Sequence, residues 1–342
     1  MSKLKILITG GAGFIGSNAA DYYLSKGNKV VVVDNLSRKG TEKNLKWLQT
    51  RYPTMTFYRT DIRKGKNVTE IVKDEKPDAV LHLAAQVAVT TSVQDPIVDK
   101  EINLDGTINV LESVRAVSKK IPVIYSSTNK VYGGLELEVK ERGRRYELKN
   151  SNLRKNGIGE NENLDFHSPY GCSKGAADQY VRDYYRIYGI PTVVFRQSCI
   201  YGPRQFGNED QGWVMHFTRL AVEGKVLNIY GDGKQVRDVL EVSDLIAAYD
   251  LCLQRIDKCQ GEIYSMGGGV GQSVSLLELI DILEQKLDIK LKLNFGSWRP
   301  GDQKVYISDI RKFKKLGWKP KVSVDQGLNK LLKWAKEVVE LG

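Results

Sequence analysis

The chain is poor in the residues that make covalent or metal cross-links. Its 342 residues include four cysteines, Cys172, Cys199, Cys252 and Cys259, and no CxxC pair. That excludes a disulfide-stapled scaffold and a zinc knuckle, and it reads as reduced thiols in a cytoplasmic setting. The three histidines, His82, His167 and His216, fall at no metal-ligand spacing, so no metal is expected. No apolar run approaches the ~18 residues of a membrane span. The opening MSKLKILITG passes almost at once into an apolar run and a glycine loop, so neither a secretory signal nor a membrane anchor is expected. Internal repeats are also missing. Apolar residues are not scarce: at 41% hydrophobic and 27% charged, the composition excludes a disordered chain. The net charge of +11 favours anionic partners, nucleotides as much as nucleic acids. The stretch RKFKKLGWKPK is basic but shows no interleaved aromatic pattern for stacking bases, so nucleic acid is not the expected partner.

Strand and helix patterns alternate over the first 200 residues. KILITG, KVVVVD, MTFYRTD, DAVLHLAA, IPVIYSS and IPTVVFRQS are short Val/Ile/Leu-rich runs without polar alternation. Such runs suit parallel strands covered on both faces. FIGSNAADYYLSKG has helical period and stops at Gly27. The expected fold is α/β: a doubly wound parallel sheet of Rossmann type with a smaller α/β substrate lobe. The expected division is a dinucleotide domain over residues 1–200, with an insertion at 135–165 and a return segment at 236–263. Residues 201–235 and 264–342 then form the smaller lobe. The insertion is charged, broken by Gly and Asn, and without a clean period. It reads equally as a lid, a binding loop, an oligomer contact or a solvated excursion.

GGAGFIG places Gly10, Gly13 and Gly16 between the first strand and the first helix. The first glycine allows the turn, the second lets the backbone approach a pyrophosphate, and the third lets helix and strand pack closely. Asp34 ends the next strand, 18 residues after Gly16, where a carboxylate binds a ribose diol and repels a 2′-phosphate. NAD is therefore favoured over NADP, although Arg38 nearby offers a guanidinium to such a phosphate. Asp61 ends the third strand and can reach an adenine edge. HLAA, residues 82–85, ends the fourth with small residues that let a ribose approach. In YGCSK, Tyr170 and Lys174 stand at i and i+4 and share a helix face. An ammonium beside a phenol favours phenolate, so Tyr170 is expected to titrate below its ordinary range and act as a base. Thr128, ending the fifth strand, offers a hydroxyl that can share a substrate alcohol with Tyr170.

GxxGxxG, Asp34, HLAAQ, SSTNKVYG, Tyr170-xxx-Lys174, IYGPRQ, GDGKQVRD and RPGDQK together resemble the extended short-chain dehydrogenase/reductase family, the nucleotide-sugar epimerases and dehydratases. The resemblance covers essentially the whole chain. It implies catalytic roles for Thr128, Tyr170 and Lys174. It extends the NAD-binding set to Phe14, Ile15, Asn35, Ser37, Arg38, Ile62, Leu83, Ala84, Ala85, Asn103 and Ser126. It also implies a nucleotide-sugar substrate, specifically a CDP-sugar inverted at carbon 2, held by Gln86, Thr128, Asn129, Arg237 and Arg299. Cys199 stands where many relatives carry an asparagine near the substrate phosphate, and Gln205 or Gln211 can compensate. Homodimers or homotetramers are expected, with INLDGTINVLESVRAV and SPYGCSKGAADQYVRDYYRIYG as candidate contact helices. The family's 4,6-dehydratases carry Asp and Glu directly after the threonine, to expel water from the sugar. Here those positions hold Asn129 and Lys130, so elimination is disfavoured and an epimerase working through a transient ketone is expected.

Overall fold

A computed structural model describes residues 3–299 and 302–340, so Pro300 and Gly301 of RPGDQK lie outside the described residues. The fold divides into two compact units. The first holds the described residues up to Val131, Ser168–Arg196 and Ile246–Ile263. The second holds Tyr132–His167, Gln197–Leu245 and the described residues from Tyr264 onward.

The first unit is built on a sheet of strands Lys5–Thr9, Lys29–Asp34, Thr56–Arg59, Ala79–His82, Val123–Thr128, Thr192–Gln197 and Ile263–Met266, the last two running out of the unit after Arg196 and Ile263. Across the seven-stranded sheet their order is seventh, sixth, fifth, fourth, first, second, third. Ile8 pairs in parallel with Val32 on one side and Leu81 on the other, so the order reverses at the first strand. Chain direction therefore sends Gly10, Asp34, Leu83 and Thr128 to one edge, the crevice where open α/β sheets bind ligands. The strands lack polar alternation because both faces are covered: Ile6, Leu7, Ile8 and Val30 to Val33 are all buried. Helix Ser168–Tyr188 lays Ala177, Val181 and Tyr184 into the same core as Val123 and Tyr125. This contact sets the helix carrying Tyr170 and Lys174 beside the strand carrying Thr128.

The second unit centres on strand Val236–Glu241. It pairs in parallel with Cys199–Tyr201 and Val305–Tyr306, and antiparallel with Ser273–Ser275. Strands Leu227–Tyr230 and Leu293–Gly296 form a separate parallel pair. Helix Leu276–Leu287 starts at a reciprocal cap between Ser275 and Glu278.

Two expected boundaries move. The return segment starts at 246, not 236, because Val236–Glu241 takes its partners from the second unit. Residues 135–165 belong to the second unit, not to the dinucleotide domain. The insertion forms a hairpin of Val139–Arg142 with Arg145–Leu148, followed by helix Ser151–Asn156 capped by Asn150. Tyr146 and Leu148 pack on Val236, Val305 and Ile307. Arg145 pairs with Glu278 at 3.4 Å and Arg144 with Asp281 at 2.6 Å. Ile158 donates to Ile307 O at 2.7 Å, and Asp309 N donates back to Ile158 O at 2.8 Å. The segment is built into its unit by apolar burial, backbone bonds and ion pairs, which is not the construction of a free lid.

Candidate active site

The glycine loop is shaped by close approaches. Gly10 has φ 68°, and a Cβ there would lie 2.7 Å from Ala84 N. A Cβ on Gly16 would lie 2.1 Å from Gly10 O. Both positions are closed to any side chain. Helix Phe14–Ser25 begins at Gly13 with no side-chain cap, so the amides of Phe14 and Ile15 stand at an uncapped N-terminus, suited to a phosphate anion. Asp34 is buried and accepts from Ala12 N at 3.1 Å and Leu36 N at 2.8 Å. Burial raises its pKa, and those backbone bonds oppose the shift.

The other residues expected around the cofactor are tied to one another. Asn35 donates to Asp61 at 3.1 Å and accepts from Ser37 N at 3.1 Å. Arg63 grips the Asp61 carboxylate at 2.8 Å and holds it down at about 2. Ile62 is buried, and a Cβ on Gly106 would reach within 2.6 Å of it. Leu83 N donates to Thr9 O, and Ala84 N donates to Thr9 Oγ1; Ala85 follows, half-buried. Asn103 lies in a π-helical turn, Glu101–Asp105, a distortion that often marks functional sites. Its amide donates to Asp99 and Ser173, each at 3.1 Å, and its oxygen accepts from Gln86 N at 2.9 Å. Gln86 spends its side chain on Asp99 and on both backbone groups of Ala88.

Thr128, Tyr170 and Lys174 come together in the first unit, all buried. Tyr170 is hydrogen-bonded to Thr128, and its backbone N–H donates to Ser92 Oγ at 3.1 Å. Thr128 Oγ1 also accepts from Lys130 N at 3.2 Å and lies 3.4 Å from Asn129 Oδ1. Lys174 Nζ donates to Ser126 O at 2.7 Å and sits over the Tyr125 ring at 4.2 Å. Burial reverses the titration expected from the sequence. Burial pushes Tyr170 up to about 12, against the opposing pull of Thr128 and of Arg38. Burial also brings Lys174 down to about 7, resisted by Asp178 and Asp99. Desolvation wins because both groups are enclosed, so the lysine is not a permanent cation beside the phenol.

This arrangement sets a pH dependence. Below about 7 both folded and unfolded chains protonate Lys174, and the cost of burying an ammonium is felt in full. Between about 7 and 10.5 the unfolded chain binds more protons, so this group makes stability rise with pH. Wild-type protein without ligand should gain up to ~2–3 kcal/mol from pH 7 to 9 relative to Lys174→Met. Thermal melts of both proteins across that range measure the difference; parallel curves would place the lysine in water.

Sequence reasoning missed three supporting groups. Asp178, one further turn along the Tyr170–Lys174 face, accepts from Ser127 Oγ at 2.8 Å and from Arg196 at 2.9 and 3.0 Å. The i, i+4, i+8 spacing of Tyr170, Lys174 and Asp178 was the available signal. Asp99 and Ser173 were not legible, since only the fold joins them, at 2.5 Å. His82 lies between Thr9 at 2.7 Å and Thr107 at 2.9 Å. Burial holds it at about 3, so it stays neutral and structural.

The candidate phosphate ligands lie in the second unit. Cys199 Sγ accepts from Trp213 Nε1 at 3.2 Å, and the Arg237 guanidinium is near enough to favour its thiolate, although burial wins and raises the thiol. Arg237 donates to Val236 O at 2.9 Å. Gln205 is buried, donates to Ile200 O at 3.4 Å and leaves its Oε1 without a hydrogen-bond partner among the described residues. Gln211 N donates to Asn208 O. Arg299 lies 3.9 Å above the Tyr230 ring and donates to Glu209 O at 3.2 Å. Among the described residues no group of His, Cys, Asp and Glu side chains can hold a metal ion, and no helix is long and apolar enough to cross a membrane.

Comparison with known proteins bears on this geometry. A family model described as GDP-mannose 4,6 dehydratase matches residues 7–331. The chain is 46% identical to CDP-paratose 2-epimerase of Salmonella typhi, over 98% of this chain and all of the relative. The crystal structure of UDP-glucose 4-epimerase with UDP-glucose from Thermotoga maritima superposes with a TM-score of 0.85 at 31% identity, over 98% of this chain and all of that one. UDP-glucose 4-epimerase of Thermus thermophilus, in complex with NAD, gives 0.81 at 30% identity, over 97% of this chain and 99% of that one.

Proposed function

Because the chain belongs to the extended short-chain dehydrogenase/reductase family of nucleotide-sugar epimerases and dehydratases, we propose that it is an NAD-dependent isomerase inverting carbon 2 of a CDP-linked sugar. The observation that carries this reading is the strand end itself. Thr128 hydrogen-bonds Tyr170, and the next two residues are Asn129 and Lys130. A proton-transfer pair is present, whereas the two acids that eliminate water are not. The 46% identity to a CDP-paratose 2-epimerase supports both the cytidine diphosphate and the carbon.

The residues present fit NAD. The uncapped amides after Gly13 suit its pyrophosphate, the Asp34 carboxylate its ribose, and Lys174 and Tyr170 its nicotinamide end. Bound NAD would supply the hydride acceptor and, after the keto sugar has turned over, the donor to its opposite face. The protein's part is to move the proton. Tyr170 takes it from the sugar hydroxyl and later returns it, while Thr128 shares the hydroxyl and orients it. Burial holds the phenol protonated without ligands, so it becomes a base only once positive charge enters the pocket. Arg237 and Arg299 would take the diphosphate, since a planar fork binds phosphate oxygens in pairs. In a 3,6-dideoxy sugar such as CDP-paratose or CDP-tyvelose, carbon 3 has no hydroxyl, so direct oxidation at carbon 2 is the simplest route. CDP-glucose and CDP-mannose present the same alcohol.

A cytoplasmic homodimer or homotetramer belongs to the same proposal. Helices Gly106–Val117 and Ser168–Tyr188 are the candidate contact face, and the latter exposes Tyr180 and Ile187. A second reading, a UDP-sugar 4-epimerase, is favoured by the likeness to the Thermotoga maritima enzyme. Incubation with CDP-paratose, CDP-glucose and UDP-glucose in deuterated water separates the two. Inversion at carbon 2 without solvent deuterium, with NAD released on denaturation, is expected. Inversion at carbon 4, or deuterium at carbon 2, overturns the proposal.

A further inference from the structure

Arg299 is already occupied. Its guanidinium lies 3.8 Å from Glu209 Oε1 and 3.7 Å from Asp210 Oδ1, and it donates to Glu209 O at 3.2 Å. Tyr230 supports the arrangement from two sides: its ring lies 3.9 Å beneath the guanidinium, and its hydroxyl donates to the Glu209 carboxylate. Two acids and an aromatic face thus hold one arginine, all within the second unit.

The acids sit at the tip of a small closed loop. Asn208 N donates to Gln211 O at 2.9 Å, and Gln211 N returns to Asn208 O at 3.3 Å. Asn208 Oδ1 accepts from the amides of Asp210 at 3.1 Å and Gln211 at 2.9 Å. At the neck, a Cβ on Gly207 would lie 2.7 Å from Gly212 O, so the loop leaves and rejoins the fold at nearly one point. Asn208, Glu209 and Asp210 are exposed.

We propose that Glu209 and Asp210 form a carboxylate latch that satisfies Arg299 in the empty enzyme and is displaced by the substrate's diphosphate. The inference rests on the phosphate role proposed above for Arg299. Two carboxylates and a diphosphate cannot all share one guanidinium at ~4 Å, because like charges at that distance repel one another. One set must leave, and the acids stand on the exposed tip of the loop. The latch keeps Arg299 ordered when no substrate is present and spares it from weaker anions, since only a ligand of greater charge displaces both acids. Glu209 and Asp210 are accordingly specificity residues that act through Arg299.

The test is equilibrium binding of CDP and CMP to the full-length enzyme. Removing the latch charge with the double variant Glu209→Gln, Asp210→Asn should tighten CDP about three- to tenfold, the scale of two partly exposed ion pairs. CMP should tighten by a comparable or larger factor, narrowing the preference for the diphosphate. The gain should vanish in an Arg299→Ala background, which itself binds CDP more weakly. Weaker or unchanged CDP binding in the double variant, with Arg299→Ala still impaired, overturns the latch and leaves the phosphate role standing. Unchanged CDP binding in Arg299→Ala removes the phosphate role, and the latch with it.

Discussion

Tyr170→Phe should lower turnover roughly 10²–10⁴-fold, the range that one positioned proton-transfer group supplies. The fold should survive, because the change removes one hydroxyl from a buried ring whose hydrogen-bond partner, Thr128, keeps a backbone donor in Lys130 N. NAD content and CDP affinity should stay close to wild type, since the loss falls on the chemical step. Turnover within twofold of wild type would show that another group moves the proton. The pH–rate profile adds an independent check. Because burial pushes the phenol up to about 12, turnover should rise with pH as the tyrosine ionises in the complex, and that rise should disappear in Tyr170→Phe.

Asp178→Ala should cost about 3–5 kcal/mol of stability, the usual effect of removing one partner from a fully buried ion pair. Asp178 is 0% exposed and Arg196 2% exposed, joined by two bonds at 2.9 and 3.0 Å. Without the acid, the guanidinium stays charged and buried and loses both of its bonds to Asp178. A fall in Tm of roughly 4–7 °C follows for a chain of this size. The double variant Asp178→Leu, Arg196→Met should recover most of that loss, because matched apolar groups remove both desolvation penalties. Failure of the double variant to recover would locate the effect in the Ser127 and Gln179 bonds to Asp178. Activity should not recover with stability, since Asp178 also favours the charged form of Lys174.

These two cases divide what could be read from what had to be seen. The glycine loop, Asp34, and the Tyr170 and Lys174 pair were legible because each is a local solution to a local demand: a turn without room for Cβ, a strand end, one face of one helix. The sheet was legible for a related reason, since buried parallel strands must be apolar on both faces. The boundary at residue 246 was not legible, because Val236–Glu241 has the same composition whichever sheet it joins. The insertion at 135–165 hid its packing for the opposite reason. Its few apolar residues, Tyr146 and Leu148 among them, are scattered in a charged stretch, and their partners lie some ninety to 160 residues away in the chain.

The sequence by itself determined the family, through the glycine loop, Asp34 and the pattern of Thr128, Tyr170 and Lys174. Only the tertiary structure decided how those groups titrate. Charge on a phenol or an ammonium depends on how much water reaches it, and burial is a property of the packed chain. Tyr170 therefore rises and Lys174 falls, against the expectation drawn from their spacing alone. The same holds for Arg299: only folding brings Glu209 and Asp210, some ninety residues earlier, to its guanidinium.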